Sequence, residues 1–300
     1  MEQTIFRIAQ RDDLRELADW LVQLSQVPEQ HCLHTWSGQT PADLHRQLLE
    51  YWDASELRYV LARRDGQLVG AMGSELDEEL GRGWLHGPHA ALGDWDALAA
   101  ALFTRLLTAL PASIDQLDAY LNVTNRRGRR FYVRQGFEER EQRGYDFLLT
   151  PETRTVAGDG GGVPLKAQHH ASFKALFEAL FPTAYYSAER IIDMTGRSHH
   201  VLVLAEGCEV QGFVVVSVAE GLSTGEIQFV GVRESCRRQG LGRRLLLSAV
   251  DTLLDRVGVS AISLNVSQDL AGAQRLYESV GFGLRYSGVG FRKALGIGGS

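Results

Sequence analysis

Cysteine is scarce in this chain. Cys32, Cys208 and Cys236 are the only three among 300 residues, an odd number with no CxxC pair, which argues against a disulfide framework or a structural zinc site. Long hydrophobic runs are missing too: stretches such as Phe213 to Val216 and Leu245 to Leu247 fall far short of the ~18 to 20 residues a bilayer-spanning helix needs. The opening Met1-Glu2-Gln3-Thr4 lacks the basic and apolar regions of a signal peptide, so a cytoplasmic protein without a membrane partner is expected. Nor is there an excess of positive charge. Residues 1–150 carry 16 Arg against 23 Asp+Glu (net −7), and residues 151–300 carry 15 Lys+Arg against 14 Asp+Glu (net +1). Neither half has the charge of a general nucleic-acid binder.

What is present is globular: 44% of residues are hydrophobic and 23% charged, enough apolar material for a core. At ~150 residues per domain the length suggests two domains. An internal repeat supports that number. The first copy reads Leu121-Asn122-Val123, Phe131-Tyr132 and Gly136-Phe137; the second reads Leu264-Asn265-Val266, Leu276-Tyr277 and Gly281-Phe282. Upstream, each copy has two apolar runs about a polar turn, Arg64-Asp65-Gly66-Gln67 in one and Glu206-Gly207-Cys208-Glu209 in the other, the pattern of a hairpin. Thr150 to Gly162 is polar and ends in Gly160-Gly161-Gly162, so residues 151–162 are expected to be a flexible linker between domains at 1–150 and 163–295. In the second half, Leu245, Leu246, Ala249, Val250, Leu253, Leu254 and Val257 recur at helical spacing, predicting a helix from Leu241 to Val257 between strands at Glu226 to Val232 and Ala261 to Val266. The fold class is mixed α/β.

Strand Glu226 to Val232 runs into Arg233-Glu234-Ser235-Cys236-Arg237-Arg238-Gln239-Gly240-Leu241-Gly242-Arg243. A glycine-bearing basic turn that opens a helix gathers unsatisfied N–H groups and the positive end of the helix dipole, which suits a pyrophosphate. No Gly-Lys-Ser/Thr follows, so it is not a Walker loop, and Leu245 stands where a dinucleotide fingerprint needs its third glycine. Arg-x-x-Gly-x-Gly after Val-x-Val, followed by strand, helix, Leu-Tyr and Gly-Phe, resembles the GNAT superfamily of N-acetyltransferases, specifically over residues 226–282. The resemblance implies two tandem GNAT domains and acetyl-CoA as co-substrate. In the second domain it implies contacts through the backbone of Val230 and Val232 and through Arg237, Arg238, Gln239, Gly240, Leu241, Gly242 and Arg243. The chain departs from the family at Leu270, where an Asn is common seven residues before the Tyr.

Acetylating an amine requires a base, because an amine of pKa ~10.4 is neutral in only about one part in a thousand at neutral pH, a deficit on the order of 4 kcal/mol. Strict alternation places Glu226, Gln228, Val230 and Val232 on one strand face. Glu226 matches the general base of the histone-acetyltransferase branch of the family; the other reading is a strand-edge carboxylate in water. Tyr277 matches the family's proton donor to the leaving thiolate, or else is an aromatic that packs the cofactor. Cys236 is not needed for direct transfer. The acceptor is expected to be a small-molecule or peptide amine bordered by Phe181 to Tyr186, with Tyr185 and Tyr186 either lining its channel or belonging to the core. A non-catalytic acetyl-CoA sensor and an acyltransferase using a longer acyl-CoA remain open, as does a monomeric or homodimeric state.

The first half has His89-Ala90-Ala91-Leu92-Gly93-Asp94-Trp95-Asp96 at the loop position. With one glycine, no arginine and two carboxylates it reads as a degenerate GNAT domain without a pyrophosphate loop, with Asp94 as a helix cap. Arg126, Arg127, Arg129, Arg130 and Arg134 are either a solvated helix face or a contact for an anion. His31, His34, His86 and His89 complete no recognised ligand spacing, so no metal is expected.

Overall fold

A computed structural model describes residues 3–30, 32, 40–91, 93, 95–156, 158, 160–182, 184, 186–196, 199–218 and 223–296. They form two compact units: Met1–Arg143 with Ser287–Ser300, and Gly144–Tyr286. In chain order the first half contains β1 (Ile5–Ile8), α1 (Leu14–Leu24), α2 (Pro41–Asp53), β2 (Leu57–Arg64), β3 (Gln67–Asp77), β4 (Arg82–Ala90), α3 (Trp95–Ala109), β5 (Gln116–Asn122), α4 (Arg126–Arg134) and β6 (Glu138–Leu149). The second contains β7 (Val163–Pro164), α5 (His170–Leu180), α6 (Ala188–Met194), β8 (His199–Glu206), β9 (Glu209–Ser217), β10 (Thr224–Val232), α7 (Leu241–Val250), β11 (Ala261–Ser267), α8 (Ala271–Glu278) and β12 (Gly283–Ala294). The predicted helix from Leu241 continues past α7 as a π-helical stretch, Asp251–Val257. No described helix is long and apolar enough to cross a membrane.

The first unit orders its strands β1-β2-β3-β4-β5-β12, antiparallel except for the β4–β5 pair. The turn between β2 and β3 is Asp65-Gly66, both at positive φ, as a tight hairpin of the right twist demands. Pro41 opens α2 behind Thr40, whose hydroxyl accepts from the Asp43 N–H, a capping box. Leu98, Leu102, Phe103 and Leu106 of α3 bury one sheet face with Val60, Met72 and Leu85; α1 and α2 bury the other with Tyr59, Leu61 and Ala71.

The second unit orders its strands β6-β11-β10-β9-β8-β7, with β10 and β11 parallel. Helix α7 packs Leu245, Leu246, Ala249 and Val250 against Leu202, Val214, Val216 and Ile262. Helices α5 and α6 cover the opposite face, where Phe173, Phe177 and Ile191 meet Val201, Phe213 and Val215.

The units divide the chain elsewhere than at residues 151–162, because the end of β6 belongs to the second unit and the end of β12 belongs to the first. Gly288 to Ala294 of β12 pairs with β5, and Val289 and Phe291 lie in the core of the first unit. Gly144 to Leu149 of β6 pairs with β11, and Phe147 and Leu149 lie in the core of the second. The glycine-rich segment expected to be a flexible linker is instead packed on α7. A Cβ on Gly160 would stand 1.7 Å from the Arg244 carbonyl oxygen. Arg244 Nε donates to the Gly160 carbonyl (2.9 Å), and the Gly162 N–H donates to Ser248 Oγ (2.9 Å). Its glycines permit close approach of backbone to backbone, the other use of a residue without a side chain.

Candidate active site

In the second unit, β10 and β11 begin paired and then part. Their parallel register covers Thr224 to Ile227 against Ala261 to Leu264, whereas β10 remains paired with β9 as far as Val232 and Gly212. A β-bulge between Ile227 and Phe229 lies where the strands separate. The extra residue reverses the phase of the side chains. Ile227 packs on the α7 side, Phe229 on the α5 side against Phe177 (5.0 Å) and Phe181 (5.1 Å), and Val230 and Val232 return to the α7 side. Strict alternation across Glu226, Gln228, Val230 and Val232 is therefore overturned. Glu226 precedes the bulge and shares its face with Ser217, Val215 and His199, while the two valines line the opposite face.

Beyond Val232 the chain forms a short 3-10 turn, Glu234–Cys236, and then the segment from Arg237 to Gly240 that leads into α7. Arg238 (φ +64°) and Gly240 (φ +79°) both adopt left-handed backbone, which costs roughly 1–2 kcal/mol at a residue with a Cβ. No side chain caps α7, so its first-turn N–H groups face outward with the helix dipole behind them. A Cβ on Gly240 would meet nothing within 4 Å. Gly242 is close-packed: its Cβ would lie 3.0 Å from Leu276 of α8. Leu241 is buried and anchors the turn, whereas Arg237, Arg238 and Gln239 are exposed and Arg243 is half-buried. The arginines supply positive charge without being tied into the core.

Glu226 sits in a row across three strands, opposite Ser217 on β9, itself opposite His199 on β8. Glu226 is exposed, and protein groups nonetheless surround its carboxyl group. Desolvation raises its pKa above the ordinary carboxylate range, the charge of Asp146 raises it further, and hydrogen bonds with Gln228 and Ser217 pull the other way. Gln228 Oε1 lies 3.0 Å from His199 Nε2, and burial lowers the His199 pKa, which keeps that imidazole neutral near pH ~7. The half-buried Tyr186 meets His199 edge to face at 6.0 Å. Tyr185 lies outside the described residues.

Asp146 of β6, opposite Asn265 of β11, extends this polar face. Arg285 Nε donates to it at 2.8 Å and Arg285 Nη2 donates to Tyr286 Oη at 2.8 Å. Burial raises the Asp146 pKa and Arg285 counters it. Sequence reasoning missed Asp146, Arg285 and His199. Asp146 between the apolar Tyr145 and Phe147 is the available signal, but it precedes the expected boundary at 150, which assigns it to the other domain.

Tyr277 of α8 is half-buried beside Phe147 and Phe282, both at 6.1 Å, and burial raises its pKa above that of a free phenol. Its counterpart Tyr132 is fully buried and donates to the Gly87 carbonyl at 2.7 Å. Leu270, at the start of α8, is 54% exposed and caps nothing, whereas Asn125 accepts from the Gly128 N–H and caps α4. Asp94, His31 and His34 lie outside the described residues. His86 is buried against Tyr59 Oη (2.9 Å) and Glu75 (3.4 Å). Among the described residues, no three or more His, Cys, Asp or Glu side chains are grouped to hold a metal.

Residues 167–282 match the model of the acetyltransferase (GNAT) family, so the second half of the chain holds a GNAT acetyltransferase domain. Over 86 residues the chain is 33% identical to a mycothiol acetyltransferase of Renibacterium salmoninarum, a match that covers 27% of this chain and 25% of that protein. The fold extends the likeness to both halves. A GCN5-related N-acetyltransferase from Sphaerobacter thermophilus superposes with a TM-score of 0.70 at 17% identity, covering 97% of this chain and 96% of that one. A tandem GNAT protein from the clavulanic acid biosynthesis pathway superposes with a TM-score of 0.68 at 15% identity, covering 99% and 100%.

Proposed function

We propose that the second unit transfers the acetyl group of acetyl-CoA directly to a primary amine of a small molecule or peptide in a ternary complex. The observation that carries this reading is the coincidence of the parted β10–β11 edge with the uncapped start of α7. The β10 edge left unpaired by β11 beyond Ile227 leads through an arginine-bearing turn into a helix N-terminus, an order of groups that suits a pantetheine arm and a pyrophosphate. In this reading the backbone of Val230 and Val232 meets the arm, and residues Arg237 to Arg243 surround the pyrophosphate.

Glu226 takes the proton of the attacking ammonium through water, and its raised pKa brings it closer to that task than an ordinary carboxylate. The amine nitrogen bonds to the acetyl carbon, the carbon–sulfur bond breaks, Tyr277 donates its phenolic proton to the departing thiolate, and the phenolate regains a proton from the acylated nitrogen, which leaves the neutral amide. The raised pKa of Tyr277 keeps it protonated until then. Tyr186 and His199 border the acceptor, with Asp146 and Glu226 favouring a cation. The first unit is a degenerate partner: its tyrosine is committed to Gly87 and its loop has no arginine.

Calorimetric titration with acetyl-CoA tests the site without knowledge of the acceptor. A site lost in Gly240→Glu, followed by CoA release with members of an amine panel, supports the reading. Acetyl-CoA binding that Gly240→Glu leaves unchanged would overturn it.

A further inference from the structure

The first unit contains a cavity of about 900 Å³ that the proposed reaction does not use. It opens where β4 and β5 separate: their parallel register ends at Leu85 and Ala119, and Pro88 lines one wall while the residues that open α4 line another. Crevices beyond the carboxyl ends of parallel strands are where α/β sheets receive ligands, and the volume suits a small molecule.

The charge of the lining is one-sided. Arg126, Arg127 and Arg130 border the cavity against a single carboxylate, Glu29. Arg126 and Arg127 occupy the first turn of α4, where the helix dipole disfavours cations. Elsewhere on α4, Arg129 pairs with Glu139 at 2.8 Å and Arg134 reaches Asp96 at 3.9 Å. Arg126 and Arg130 have no ion pair among the described residues, and the Arg127 guanidinium lies 5.5 Å over the ring of Trp95, which also lines the cavity. Three guanidiniums around one space, two of them at the wrong end of a helix, lower the stability of the empty fold; a polyvalent anion would reverse that. Guanidinium forks match the several acceptor oxygens of a phosphate.

We infer that this cavity binds a small organic phosphate, with the phosphate held by Arg126, Arg127 and Arg130 and the organic body lying toward Pro88 and Trp95. The site is distinct from the loop at Arg237 to Arg243, and its charge comes from α4, since the loop from Ala90 to Trp95 has one glycine and no arginine.

Tryptophan emission reads the site directly, because all five tryptophans lie in residues 1–150 and Trp95 lines the cavity. The full chain carrying Gly240→Glu, which puts a carboxylate into the other unit's loop, is titrated with ribose 5-phosphate, with ADP and with unphosphorylated ribose. The expected result is a saturable change with a sub-millimolar midpoint for at least one phosphate and none for ribose. In the same background Arg126→Gln/Arg130→Gln raises that midpoint by at least about tenfold. Both side chains are exposed, and an unchanged thermal melt verifies the fold. No saturable change up to ~5 mM of either phosphate, or a midpoint indifferent to the arginines, would refute the inference. Neither outcome depends on acetyl transfer in the second unit.

Discussion

Replacing Asp146 by Asn probes the electrostatics of the acceptor face. Asp146 stands opposite Asn265, two residues beyond Ser263, which stands opposite Glu226. Two strand spacings of ~4.8 Å and two residues of ~3.3 Å put the Cα atoms of the two acids on the order of 12 Å apart. At an effective dielectric constant of about 20, one charge at that distance acts with ~1.4 kcal/mol, about one pKa unit. In the native protein Arg285, 2.8 Å from Asp146, cancels part of the field. Asp146→Asn removes the negative charge and leaves the positive one, and both changes favour ionised Glu226. In the proposed mechanism Glu226 is the base and works only when ionised, so its raised pKa places the acid limb of kcat/KM above the ordinary carboxylate range. The substitution is expected to move that limb down by about one unit and to leave the rate above it nearly unchanged. Release of CoA thiol, followed from about pH 5 to 9 with a primary amine acceptor, reads the shift. Raising the salt concentration should shrink it. An unmoved limb, or one that moves up, would refute both the assignment of Glu226 and its coupling to Asp146.

Tyr277→Phe is expected to lower kcat by about 10- to 100-fold with little change in acetyl-CoA affinity, compared by steady-state kinetics and calorimetry; an affinity loss with kcat intact would assign Tyr277 to packing. Tyr132→Phe leaves the Gly87 carbonyl without its donor and should cost about 1–3 kcal/mol in urea unfolding followed by tryptophan emission, with the acetylation rate unchanged. Gly160→Ala places a Cβ against the Arg244 carbonyl and should destabilise the second unit by about 1–3 kcal/mol. Calorimetric melting checks it, and an unchanged melting temperature would mean that the segment is not held on α7.

The repeat, the α/β class and the hairpins were legible because they rest on local patterns: pairs of contiguous apolar runs about Asp65-Gly66 and Gly207, and the helical spacing of Leu245 to Val257. The basic loop was legible for the same reason, being contiguous. The proposed acceptor face was not, since it gathers His199, Ser217, Glu226, Asp146 and Arg285 from five strands, and only the register brings them together. The bulge after Ile227 also escaped, because an extra residue in a strand leaves no mark in an apolar sequence such as Ile227 to Val232. Gly160 to Gly162 misled for a physical reason: a glycine needed for close approach and a glycine needed for freedom are the same residue.

The exchange of strand ends gives the chain an order of assembly opposite to its order of synthesis. All the strands of the second unit lie within Gly144–Tyr286, so that unit can close as soon as those residues leave the ribosome. The first unit, although made earlier, has to wait for Val289 and Phe291. At ~5–20 residues per second the interval between Arg143 and Ser287 lasts roughly 7–30 s. Throughout it, β5 presents an unpaired edge and the core around Tyr132 and Phe103 lacks a wall, so a chaperone has a defined interval and a defined surface to protect.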